Sequence, residues 1–443
     1  MVSAPERDAR PAGRGPRGAR LTPSPADRAG SGRGVIAAGA ARWRTFAARI
    51  DAGTPPERER TADALRALAI AGVLIGHWLV GGFAIAADGG LRIASPLSTL
   101  PGLAPASWVL QMLGLFFLVG GYSSTLSRER SAARGTSYSG WLRDRLVRLL
   151  RPVVAVTALW AVALPLLAAS GTPASTLRTT VVLVLQPLWF IGVYLVITAL
   201  TPLALAADRR FGAWAALPPV LVVLVVDALR YGPYGEAMPA WLGLVNLIPA
   251  WWFGYQLGVA WARGRLGRPL AVVMIVVGAG AFALLIAKLG YPASMVGVPG
   301  VDRSNSNPPS LLVPALAAVQ CGLALLLRDR LERALRRPAL WAAVAVANLS
   351  AMTFFCWHQT AMLAVTLPVF AGAGPVPGLI GVPEGPGWVL LRAAWIGGFA
   401  VMMAVLWAVM RRFDGPWTGV RLPLRALAGA LAIGYAGLAV LVY

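Results

Sequence analysis

Apolar runs of about eighteen residues or more, broken by short charged stretches, recur from residue 62 to the C-terminus. A helix needs roughly 20 apolar residues to cross a hydrocarbon layer of ~30 Å. The pattern therefore predicts spans at 62–86, 106–126, 152–170, 179–206, 214–229, 240–261, 269–288, 310–327, 340–370, 388–410 and 422–442. The fourth and ninth exceed one crossing, and Pro187, Pro202 and Pro368 are placed to kink or split them. Strand-like alternation between turn signals, which a β-barrel would need, is missing. The fold class expected is all-α: a polytopic transmembrane helical bundle of eleven spans.

Residues 1–53 read differently. They are rich in Arg, Pro, Gly, Ala and Ser and carry too little apolar surface for a core. They are expected as a disordered basic cytoplasmic tail, of which GVIAAGAARWRTFAARI (34–50) could lie on anionic lipid as a short amphipathic helix. No secretory leader is expected, because the first apolar run starts late and no small-residue cleavage site follows it. Orientation comes from the loops. With the N-terminus inside, the inner connections hold twenty-one Lys and Arg residues and the outer ones five, counting Lys288 at the end of its span. That asymmetry satisfies the positive-inside rule and favours an odd span count, with the C-terminus outside. No motif recurs at fixed spacing, which weakens a transporter built from repeats.

Composition agrees. The chain is 57% hydrophobic and 13% charged, against about 25% charged in soluble domains, so a soluble class is excluded. A net charge of +22 would suggest nucleic acid in a soluble protein. Here it sits in short loops on one side, and topology explains it. Cys321 and Cys356 both lie in apolar segments and have neither disulfide nor zinc spacing.

Candidate chemistry concentrates in the first span, RTADALRALAIAGVLIGHWLV (60–80). Arg66 and His77 are eleven helical steps apart, which returns them to nearly the same azimuth with a rise of about 16 Å. A lipid-facing Arg at the bilayer centre costs about 2.5–3.5 kcal/mol, so this face must look into protein or a cavity. Asp63, three residues before Arg66, can orient or neutralise it. His358, in SAMTFFCWHQTAML (350–363), is the second of two histidines in the chain, and both fall inside spans. Each could accept a proton in a desolvated site, or could simply tie helices together.

Four weaker constellations follow. Gly120 and Gly121, in LGLFFLVGGYSSTLSRER (113–130), allow a close approach by a backbone or a ligand. Arg145, Arg148 and Arg151 recur every three residues in WLRDRLVRLLRP (141–152), a spacing that suits phosphate binding or the ordinary charge of an inner loop. PLWFIGVYL (187–195) brings Trp189 and Tyr194 into mid-span, for packing or contact. The loop VDRSNSNPPSLL (301–312) offers Asp302, Arg303, Asn305 and Asn307 to a hydroxyl-rich ligand, or is plain loop polarity. No Ser-His-Asp set, G-x-S-x-G elbow, P-loop or metal-ligand cluster occurs in the sequence.

Seven elements then fall in a recognisable order: Asp63-x-x-Arg66, Arg66-x10-His77, FFLVGGY (116–122), RLVRLLRP (145–152), LWF (188–190), SNSNPP (304–309) and WHQT (357–360). Over residues 60–410 the chain resembles the integral-membrane acyltransferase 3 family. It departs from the pattern in having Gly120-Gly121 where many members have Ser-Gly. The resemblance implies that 54–443 is a transmembrane acyltransferase domain. Such a domain moves an acyl group, acetyl by default, from acyl-CoA to a hydroxyl of a sugar or glycan-type acceptor at or across the membrane. It implies His77 as general base or transient acyl carrier, with Arg66, Asp63 and His358 beside it. Arg145, Arg148 and Arg151 would hold CoA with Gly120 and Gly121, while Trp189, Tyr194, Asn305 and Asn307 would meet substrate. No metal and no nucleic acid is implied; the partners are the lipid bilayer, acyl-CoA and the acceptor. The location implied is a bacterial cytoplasmic membrane, multi-pass, with the N-terminus inside. The alternative is a transporter or exporter of a small polar or lipid-linked compound. It would call for intramembrane Asp or Glu, whereas only Asp63 and Asp227 come near span edges.

Overall fold

The computed structural model describes residues 25–233, 235–301, 303–413, 415, 421, 423–430 and 434. In chain order its helices are α1 (Pro25–Ala52), α2 (Arg60–Val80), the short α3 (Pro96–Thr99) and α4 (Ala104–Leu110), α5 (Leu113–Ala133), α6 (Tyr138–Ala169), α7 (Ala174–Leu185) and α8 (Trp189–Ala199). They continue as α9 (Thr201–Phe211), α10 (Leu217–Tyr231), α11 (Pro249–Ala262), α12 (Arg268–Leu289), α13 (Leu312–Ala334), α14 (Pro338–Leu349), α15 (Ala351–Ala373) and α16 (Pro386–Met410). Among the described residues, nine helical stretches are long and apolar enough to cross a membrane. Each overlaps one of the predicted spans. This is an all-α membrane bundle with one small exception.

That exception is an antiparallel hairpin, β1 (Gly82–Ile85) with β2 (Leu91–Ala94), where the first span was expected to run on to residue 86. The helix stops because Gly81 and Gly82 follow Val80, and Gly82 is pressed between the Ala94 carbonyl and the Trp388 ring, with no room for a side chain. Asp88-Gly89 makes the turn, Gly89 taking a left-handed φ of 77°. Asp-Gly is a strong hairpin signal, masked here by the apolar run around it. Ile380 adds a bridge beside Phe83, so a small β cap sits over the end of α2.

The predicted span at 240–261 is a 3-10 stretch, Ala240–Leu247, leading into α11. Fourteen α-helical residues reach only about 21 Å, and the 3-10 stretch adds about 16 Å, so the pair covers the distance that the helix alone cannot. The long fourth span breaks twice. Pro187 lies in the 3-10 turn Gln186–Leu188 between α7 and α8, and Pro202 opens α9. The ninth breaks at Ser350, between α14 and α15, while Pro368 stays inside α15. The last predicted span, 422–442, lies mostly outside the described residues.

Where a disordered tail was expected over 1–53, residues 25–52 form α1; residues 1–24 lie outside the described residues. The tail gains a core by leaning on α14: Ala47 is buried, as are Trp341 and Ala342 opposite. Trp341 Nε1 donates to Thr54 Oγ1 at 2.7 Å, and the Arg60 guanidinium lies over its ring at 4.8 Å.

α5 packs closely along α11. Gly114 and Gly121 of α5 meet Gly254 and Gly258 of α11. A Cβ on Gly121 would strike the Tyr255 carbonyl, and one on Gly258 the Leu118 carbonyl. Small residues are what let backbones approach this closely in lipid.

Candidate active site

α2 bears Asp63, Arg66 and His77 along its length. At its first turn Glu332 of α13 accepts from the Thr61 amide and hydroxyl at 3.1 and 2.9 Å, occupying amides that a helix start leaves free. Asp63 is buried and its carboxylate is fully engaged: Arg58 Nε donates to Oδ2 at 2.6 Å and Asn348 Nδ2 to Oδ1 at 2.5 Å. Asn348 turns its carbonyl the other way and accepts from Arg66 Nη1 at 3.1 Å. Arg66 Nη2 donates to Ser123 Oγ at 2.6 Å, whereas Asp63 itself is 3.9 Å away. Asp63 thus orients Arg66 mainly through Asn348, and the guanidinium is pinned across α2, α14 and α5.

One turn along α5, Ser127 Oγ accepts from Arg145 Nη1 and from Trp141 Nε1, both at 2.9 Å. Ser123 and Ser127 stand at i and i+4, about 6 Å apart along the axis and on one face. Two guanidiniums from different helices are hung from that face. Arg148 does not join them: it is exposed, and Arg151 is half-buried. Steps of three residues turn ~300°, so the azimuth slips by about 60° each time, and only one of the three can point at Ser127. Of the three, Arg145 is the one that hydrogen-bonds Ser127.

At the other end of α2 the two histidines meet. His358 Nε2 lies 3.1 Å from His77 Nδ1, with ring centroids 4.9 Å apart. His358 Nδ1 lies 2.7 Å from the Phe355 carbonyl oxygen. A carbonyl only accepts, so His358 carries its proton on Nδ1 and presents a lone pair at Nε2. His77 must then donate from Nδ1, and in a neutral pair its Nε2 is left with a lone pair. The Phe355 carbonyl fixes the His358 tautomer, and the His77 ring has the Val73 carbonyl as a further hydrogen-bond partner. Such an arrangement can take a proton at His77 Nε2 and share the resulting charge with a second ring. His358 is buried and His77 half-buried.

The pair is held from several sides. Trp78 Nε1 donates to the His358 carbonyl at 3.0 Å, and Trp160 Nε1 to Thr360 Oγ1 at 2.9 Å. Arg392 of α16, fully buried, donates to the Trp78 carbonyl at 2.6 Å, to the Gly81 carbonyl and to Met362 Sδ at 3.0 Å. It has no carboxylate partner among the described residues. It caps the carbonyl end of α2, where a cation is favoured, and reaches α15 one turn beyond His358. Ser123, Ser127, Asn348 and Arg392 were all missed by the sequence reading. The first three give no signal, but Arg392 is the lone charge in 388–410, the same anomaly that singles out Arg66.

Other expected residues serve the frame. Gly121 is taken up by the α11 crossing, and Gly120 packs on the Tyr194 ring. Tyr194 sits among Phe116, Phe117 and Phe190, and Trp189 lies against Trp251 and Phe190. Asn305 is buried, donating to the Pro292 and Ser294 carbonyls at 2.6 and 2.8 Å and accepting from Ser310 at 2.7 Å. Those bonds shape its loop. Asn307 is exposed, and Asp302 lies outside the described residues. Among the described residues, no cluster of three or more His, Cys, Asp or Glu side chains could hold a metal ion.

Fold and site together define a polytopic membrane protein with paired imidazoles in its interior. The family model described as an acyltransferase domain matches residues 60–411, and the chain belongs to that family, acyltransferase 3. It is a membrane acyltransferase. No curated protein and no solved structure matches it.

Proposed function

We propose that this protein transfers an acyl group, acetyl by default, from acyl-CoA to a hydroxyl of a sugar or glycan-type acceptor. The observation that carries the reading is the one-directional chain from the Phe355 carbonyl through His358 to His77. It leaves His77 Nε2 as an oriented base. In the reaction His77 Nε2 takes the acceptor hydroxyl proton as the oxygen attacks the thioester carbonyl. The carbon–sulfur bond then breaks, and the CoA sulfur leaves with that proton, so ester and thiol are the products. While His77 is an imidazolium, its Nδ1–H donates to His358 Nε2, and the charge is spread over both rings. A positioned base contributes about 10²–10⁴-fold.

Arg66 and Arg145 supply the donor end. Docked on Ser123 and Ser127, they suit the diphosphate of CoA, which guanidinium binds in bidentate fashion. The rise of about 16 Å from Arg66 to His77 suits an extended pantetheine arm. The basic loops favour an inner location for this end and for the N-terminus, in a bacterial cytoplasmic membrane. The buried acids that a proton-coupled transporter would use are otherwise engaged. Asp208 faces Arg265 at 3.2 Å, and Asp227 accepts from Asn246, Tyr291 and the Leu311 amide.

The test is acetyl-CoA-dependent thermal stabilisation of purified protein, wild type against Arg145→Ala. A ligand at a hundredfold its dissociation constant adds about 2.7 kcal/mol. Stabilisation that is lost in the variant supports the donor site. No response from folded wild-type protein to any CoA ester overturns it.

A further inference from the structure

Beside the paired arginines lies a cleft that the chemistry above does not use. Arg128 near the end of α5, Tyr138 in the first turn of α6, and Pro202, Leu205 and Arg209 along α9 line a cavity of about 430 Å³. That is the size of a small-molecule site, roughly 300–1,000 Å³. Its charge is one-sided. Two guanidiniums line it and no carboxylate does. The neighbouring acids are turned elsewhere: Glu129 pairs with Arg263 at 2.8 Å and Asp208 with Arg265 at 3.2 Å. Neither Arg128 nor Arg209 pairs with a carboxylate among the described residues.

The walls are fixed. Arg128 Nη1 donates to the Thr136 carbonyl at 3.3 Å, and its guanidinium stands 6.0 Å from the Tyr138 ring. Tyr138 is anchored by its hydroxyl on the Ala199 carbonyl. Its ring packs against Trp141, centroids 5.8 Å apart, and Trp141 shares Ser127 with Arg145. The Tyr138 wall of the cleft thus packs, through Trp141, against the serine that holds Arg145. Arg66 feels the charge of Arg145, and Arg128 and Arg209 share the cleft, so the guanidiniums fall into two pairs.

We propose that this cleft binds the nucleotide end of the donor. Arg128 and Arg209 take the phosphate on the ribose, and Tyr138, Pro202 and Leu205 form the apolar wall for the base. The inference rests on the acyl-CoA reading above and extends it. CoA carries two separate anionic groups, a diphosphate and a ribose phosphate, and the structure offers two separate pairs of guanidiniums. A phosphate could equally come from a lipid headgroup, so the experiment separates the two sources.

Binding of CoA and of 3′-dephospho-CoA is measured by calorimetry on the full-length protein in nanodiscs of zwitterionic lipid. The comparison is wild type against Arg128→Gln/Arg209→Gln. The expected result is that wild type prefers CoA by about tenfold or more, 1.4 kcal/mol per decade. The double variant should bind dephospho-CoA as wild type does and lose the preference. Arg209 is exposed, so Arg209→Gln alone avoids a folding defect and should lose part of it. A double variant that keeps the full preference overturns the proposal. So does a preference that vanishes in wild type when phosphatidylglycerol is added to the disc, which assigns the cleft to lipid. If neither CoA form binds wild type, the donor reading itself fails. If both bind equally to wild type, only the nucleotide subsite fails.

Discussion

Under the mechanism proposed, replacing His77 by alanine removes the base at the end of the imidazole chain, and acyl transfer should fall by about 10²–10⁴-fold with donor binding intact. His358→Phe leaves His77 Nδ1 without its acceptor and frees the ring. The expected loss is smaller, on the order of 10–100-fold, as for partners that orient ligand histidines. His358→Gln, whose amide oxygen can still accept, should recover part of it. Turnover followed against pH should decline toward acid in the wild type, because a proton on the pair occupies the base. The apparent pKa belongs to the pair, so His358→Gln should move it. An unmoved profile would remove His358 from the chemistry. Arg66, His77 and His358 were legible because a polar group in an apolar run has no cheap explanation. Ser123 and Asn348 were not, since a serine or asparagine inside a helix carries no such contradiction; the fold alone brings them to Arg66, from 57 and 282 residues away.

At the scale of elements, the crossing of α5 and α11 sets where both serines stand. Gly121→Leu or Gly258→Leu would drive a side chain into a facing carbonyl, at a cost above the ~1–3 kcal/mol of ordinary overpacking. Both variants should melt early and lose CoA-dependent stabilisation, whereas Gly280→Ala, at an open position of α12, should leave that stabilisation in place. The hairpin offers a second test. The Ser175 hydroxyl and amide, with the Gly90 amide, hold the Asp88 carboxyl below its usual range. A lowered carboxyl contributes fully above the ordinary aspartate value of ~3.9 and is lost as pH falls through the depressed one. Exchange at the Ser175 and Gly90 amides should thus stay slow down to about pH 4 and quicken below it. Asp88→Asn should quicken it at every pH. The helices were predictable from hydropathy, but their breaks were less so. Pro187 and Pro202 act as their φ restriction demands, while Ser350, where α14 gives way to α15, has no sequence signal. α1 emerges only because α14 supplies a partner that composition cannot reveal.

The whole molecule can be oriented by labelling. Cys321 and Cys356 are buried, so a new cysteine reports with little background. Arg134→Cys should react with an impermeant thiol reagent only from the inner side of sealed vesicles, and Ala87→Cys only from the outer side. The reverse pattern would invert the donor and acceptor sides. The positive-inside rule predicts this arrangement from the loops, but it says nothing of how the ends are closed. Arg392 closes one of them. Its bond to the Trp78 carbonyl joins residues 314 positions apart, so it forms only late in synthesis. A helix with a lone arginine enters lipid at a penalty of about 2.5–3.5 kcal/mol, unless acceptors already wait beside it. α2 and α15, made earlier, offer those acceptors in the carbonyls of Trp78 and Gly81 and the sulfur of Met362. The order of insertion is therefore written into the chain: the histidine-bearing helices must be in place before α16 can settle, and an unfinished polypeptide holds both histidines without the clamp that aligns them.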